Sequence, residues 1–122
     1  MIEKRAFYID GEWVAPATPR DCLVFDPATE EPCAVISLGD AADTEAAVAA
    51  ASRAFPGWAA TPPAERKRLV TGILAQYEKR AEEMAQAISL EMGAPIDLAR
   101  NAQAPCLPWH FKGFLQAFDE IE

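Results

Sequence analysis

The apolar residues of this 122-residue chain change their spacing once, at Asp40, and that change constrains the fold more than any single motif. Before it, short β-forming runs alternate with turn residues. After it, apolar residues recur at intervals of three and four, the signature of amphipathic helices. The order predicts an α+β chain: an N-terminal antiparallel β-hairpin and extended strands over about residues 7–38, then about four α-helices over about 41–118.

In the strand half, Phe7-Tyr8-Ile9 and Trp13-Val14 flank Asp10-Gly11. Asp-Gly between β-formers predicts a two-residue hairpin, because a type I′ turn needs positive φ at both central positions. A Pro/Thr-rich loop from Ala15 to Arg20 leads to a second segment, Cys22–Phe25. Asp26-Pro27-Ala28-Thr29 has turn chemistry: proline fixes φ and the aspartate can accept a local backbone bond. Cys33–Leu38 is apolar without polar alternation, which predicts a strand with one face resting on something larger.

Asp40 is placed to cap the first helix, with Asp43 and Glu45 where the helix dipole favours acids. Val48, Ala51, Phe55 and Trp58 form one stripe, and Pro56-Gly57 is expected to end the regular helix just before Trp58. Pro62-Pro63 opens the second helix, whose expected buried face is Leu69, Val70, Ile73, Leu74 and Tyr77. Met84, Ala85, Ile88 and Met92 continue after a bend near Arg80, and Gly93 with Pro95 stops the run. A short piece, Ile96–Gln103, is expected to break at Pro105 and Pro108. The last stretch, His110–Phe118, sets Phe111, Phe114, Leu115 and Phe118 on one side.

Composition excludes several classes. The chain is 51% hydrophobic and 25% charged, which is globular, and its net charge of −8 argues against nucleic-acid binding. Arg66-Lys67-Arg68 is flanked by acids and reads as a solvated helix face. No apolar stretch reaches the roughly 20 residues of a membrane span, and the N-terminus lacks the apolar region of a secretory signal. Three cysteines, Cys22, Cys33 and Cys106, without paired spacing predict a reduced, cytoplasmic setting.

Local chemistry is sparse. Cys106 and His110 sit four apart, a spacing able to hold a metal or pair a thiol with a base. Pro108 intervenes, there is no second pair, and His110 is the only histidine, so a structural role is favoured. Cys22 and Cys33 lie in apolar segments, where cysteine packs as a small hydrophobe. The glycines form neither a GxGxxG nor a phosphate loop, and no nucleophile elbow is present. Trp13, Trp58 and Trp109 read as packing residues before they read as a binding groove.

Three blocks in order carry a resemblance: FYIDGEW at residues 7–13, FDPATEE at 25–31, and the run from Ala46 to Pro95 with AFPGW, PPAER and LEMGAP. Their order and spacing resemble the N-terminal region of the NAD(P)-dependent aldehyde dehydrogenase family over roughly residues 6–118. The resemblance implies residues 1–122 to be the N-terminal segment of that family's cofactor-binding domain, part of its α/β fold, without the catalytic domain. It implies an oxidoreductase that turns aldehydes into carboxylic acids through a cysteine thiolate, an oxyanion site, hydride transfer to NAD or NADP and a glutamate that activates water.

None of those groups maps onto this sequence, so no catalytic or cofactor-binding residue is assigned, and the chain alone is expected to bind no cofactor. One feature does map. Some family members hold a monovalent cation through carbonyls that correspond to Val24 and Phe25 and a carboxylate that corresponds to Glu91, oxygen ligands of the kind hard cations prefer. The family often has aspartate there, and Glu91 is one methylene longer.

As partners, the resemblance implies the rest of the enzyme or a full-length relative, homo-oligomers of the complete protein, and aldehyde only in that complete form. A rival reading is a stand-alone helical interaction module that binds through Phe111, Phe114 and Phe118. A third has a second chain supplying the rest. Ordering each residue costs roughly 1–2 kcal/mol of backbone entropy, so a chain with uncovered apolar surfaces is expected to fold only marginally.

Overall fold

The computed structural model describes residues 1–120, which divide into two compact units meeting at the Ala60–Thr61 bond. The first unit holds five strands and one helix: β1 (Ile2–Lys4), β2 (Phe7–Ile9), β3 (Glu12–Val14), β4 (Asp21–Asp26), β5 (Glu31–Ser37) and α1 (Ala41–Ala59). The second holds α2 (Pro63–Lys79), α3 (Ala81–Met92), a single turn α4 (Ile96–Leu98) and α5 (Cys106–Glu120). The expected α+β class and the four substantial helices are both present.

β2 and β3 pair antiparallel, with Tyr8 opposite Trp13 and their rings 5.2 Å apart. Between them Asp10 (φ 55°) and Gly11 (φ 84°) both adopt the left-handed conformation that the hairpin turn requires. A separate three-stranded sheet has β5 in the centre, antiparallel to β4 and parallel to β1. The strand at Ile2–Lys4 lies outside the expected strand range. Three residues carry no readable alternation, and a parallel pairing depends on a partner thirty residues away. Arg5 then clamps the sheet, donating to Glu3 and to both Asp21 oxygens at 2.6–3.1 Å and holding the Asp21 carboxyl below its usual range.

The β4–β5 turn closes as its sequence predicts. The Asp26 carboxylate accepts the Ala28 N–H at 2.8 Å, and Glu30 takes a positive φ of 61°. Central β5 is buried at Ala34, Val35 and Ser37. Asp40 caps α1 by accepting from the Ala42 and Asp43 N–H groups, while Asp43 accepts the Asp40 N–H at 2.9 Å and the Ala17 N–H at 2.8 Å. One aspartate therefore ties the Pro/Thr-rich loop to the start of α1.

Several expectations about the helices change. α1 runs through Pro56 to Ala59, because the proline forfeits one bond while its own carbonyl still accepts the Ala60 N–H at 3.2 Å. Its large apolar residues Val48, Phe55 and Trp58 lie exposed, and its buried residue is Ala50. In α2 only Leu74 of the expected face is fully buried; Leu69 and Ile73 are exposed. Arg80 (φ −115°, ψ 12°) breaks the run outright, and Gly93 (φ 69°) closes α3.

The core of the second unit is made of methyl groups: Ala85, Ala99 and Ala104 are 1%, 0% and 3% exposed, with Ile88 and Ile96 packed around them. Met84 and Met92 of the predicted stripe are exposed instead. The chain reaches Ala104 through a π turn, Ala99–Gln103, in which the Ala104 N–H bonds back five residues to Ala99 at 2.8 Å. α5 then begins at Cys106, earlier than expected. Pro108 falls in its first turn, where a missing N–H leaves no intrahelical bond unmade, and so does not break it.

Candidate functional site

Val24 and Phe25 adjoin at an irregularity in the β4–β5 ladder: Val24 pairs with Ala34, Phe25 with Pro32, and Cys33 is left without a partner. Proline has no N–H to give the ladder, so the register slips by one residue at this point. The Cys33 thiol fills part of the gap by donating to the Val24 carbonyl at 3.4 Å. Val24 is half-buried and Phe25 exposed. The irregularity leaves Cys33 of β5 unpaired, while Val24 and Phe25 keep Ala34 and Pro32 as their ladder partners.

Glu91, the third candidate, is exposed in the last turn of α3 and belongs to the second unit. The structure brings Val24 and Phe25 together and assigns Glu91 to the other unit. Among the described residues, no three His, Cys, Asp or Glu side chains gather as a metal cluster.

Cys106 and His110 both lie exposed on α5. The Cys106 thiol donates to the Ala102 carbonyl at 3.3 Å, and the His110 ring tilts against Trp109 with centroids 4.8 Å apart. Each therefore has a local partner, and nothing ties one to the other.

The α5 surface is the most pronounced feature of the second unit. α2 and α5 run antiparallel: Lys67, early in α2, pairs with Asp119, late in α5, and Glu78 pairs with Lys112 at 2.9 Å. Phe111, Leu115 and Phe118, spaced four and three apart, are half-buried. The expected single face is split, because Phe114 is 69% exposed and Trp109 is 73% exposed. They stand beside Gly113, which has no side chain, and Ala117, at a shallow depression that His110, Lys112 and Gln116 also line.

Two polar devices hold α5 and the π turn. The Tyr77 hydroxyl donates to the Ala104 carbonyl at 2.7 Å, and its burial pushes its pKa up. Arg100 grips Glu82 with three bonds of 2.6–3.1 Å, which with the Gln86 amide holds the carboxyl down at about 2 from the usual 4.5. Sequence reasoning placed Tyr77 only as an apolar stripe residue. Its hydroxyl, the polar tip of an otherwise aliphatic stripe, is the signal for a backbone partner.

The fold is α+β, with five short strands in two small sheets and four substantial helices. Residues 13–122 match the model of the aldehyde dehydrogenase family, and the chain belongs to that family. It is 44% identical over 112 residues to a 3-succinoylsemialdehyde-pyridine dehydrogenase from a Pseudomonas species, covering 91% of this chain and 24% of that protein. A crystal structure of an aldehyde dehydrogenase from Bartonella henselae superposes with a TM-score of 0.98 at 51% identity, over 100% of this chain and 26% of the other. A variant of aldehyde dehydrogenase C from Pseudomonas syringae, crystallised with NAD+ and octanal, gives 0.92 at 45% identity, over 94% and 24%. The chain thus spans about a quarter of the length of the relatives it matches. Among the described residues, no helix is long and apolar enough to cross a membrane.

Proposed function

We propose that residues 1–122 serve as the N-terminal segment of the cofactor-binding domain of an NAD(P)-dependent enzyme that oxidises aldehydes to carboxylic acids, and that this chain alone is inactive. The observation that carries this reading is the family match over residues 13–122 against relatives four times as long. The nucleophile, oxyanion site, cofactor-binding groups and base of the family chemistry have no counterpart here. NAD or NADP would be held by the complete protein and not by this segment. The test is NADH formation from octanal and NAD by the purified 122-residue chain, alone and co-expressed with the remainder of the Bartonella relative. Turnover by the isolated chain would overturn the proposal.

The role of the segment is to cover the remainder with its apolar surfaces, above all Trp109 and Phe114 on α5. Truncating either to alanine is expected to change the stability of the isolated chain by no more than about 0.5 kcal/mol, since both are largely exposed. The same change is expected to weaken co-purification with the remainder. Those two exposed aromatics also favour the second reading, a stand-alone module that binds a partner by the same face. Activity restored by co-expression favours the first; stable folding with an unrelated partner and no restored activity favours the second.

Val24 and Phe25 carbonyls with the Glu91 carboxylate form a monovalent-cation site in the complete enzyme under this proposal. Its support is the ladder irregularity at Val24/Phe25. Thermal melts of the co-expressed complex in sodium, potassium and choline chloride test it: a cation-specific rise that Glu91→Gln removes is the expected result, and identical melts sink it. The complete protein is proposed to be a cytoplasmic homo-oligomer with no nucleic-acid or membrane partner, a setting consistent with the unbridged Cys22, Cys33 and Cys106. Sedimentation of the complex as a single copy would refute the oligomer.

A further inference from the structure

We draw no further inference here: the strongest candidate, the buried and unpaired Gln103 Oε1 in the π turn Ala99–Gln103, carries nothing because no second observation in the structure shows what would donate to it.

Discussion

The two compact units achieve order by opposite means. The first relies on backbone pairing: a central strand hydrogen-bonded on both sides, a two-residue hairpin, and a charged clamp from Arg5 across the sheet. The second relies on close approach, its helices meeting over three alanine methyls while larger apolar groups face outward. The difference shows that apolar content alone does not say where a core lies. In the helical unit, the smallest apolar side chains are inside and many of the largest are not.

The contrast can be broken or sharpened by substitution. The largest effect is expected at Leu74, the one large side chain buried among the described residues of the helical unit. Leu74→Ala should cost about 2–5 kcal/mol, read as a lower denaturation midpoint. A loss smaller than about 1 kcal/mol would mean that Leu74 is not a core residue and that the alanines carry the unit. Next is enlargement: Ala99→Leu should destabilise by about 1–3 kcal/mol, because its methyl has no exposed surface through which an added isopropyl could escape. A neutral result would show the helices free to separate, and the close-approach account would fail.

In the strand unit the corresponding weak point is backbone conformation. Gly11 has open space around the position of a missing Cβ, so Gly11→Ala isolates the strain of its φ of 84°. The expected cost is about 1–2 kcal/mol, measured by chemical denaturation. An unchanged midpoint would show that the hairpin turn does not require glycine.

The smallest effect is the pH response of Glu82. Its carboxyl is depressed in the folded chain, so its contribution is present above the unfolded value of 4.5 and is lost as pH falls toward about 2. Both partners are exposed, which makes the contribution small. Stability profiles of the native chain and Glu82→Gln should converge as pH drops through that window; parallel profiles would remove the clamp from the account.

Much of the strand unit was legible in sequence because its signals are local. Asp10-Gly11 fixes its turn within two residues, the Asp40 carboxylate meets its N–H donors within three, and that of Asp26 within two. What escaped depended on distant partners or on tolerance. β1 is defined only by β5, and the interior of α1 accepts Pro56 while the first turn of α5 accepts Pro108. The helical core was misplaced because periodicity weights large residues, whereas Ala85, Ala99 and Ala104 read as neutral filler. For the candidate cation site, the sequence supplied residue identities through a resemblance. The register slip between Val24 and Phe25 falls opposite Pro32, whose missing N–H is visible in the sequence but whose ladder position is not.

The enclosed methyl of Ala99 has a consequence for how this segment can change over time. In most helical proteins variation is free outside and restricted among bulky interior groups. Here the position with the least latitude bears one of the simplest side chains, since glycine would loosen the helix and anything longer would wedge its neighbours apart. A library randomised at Ala99 should return alanine almost alone, while the same library at Ile73, a larger apolar residue on the exterior, should return many residue types.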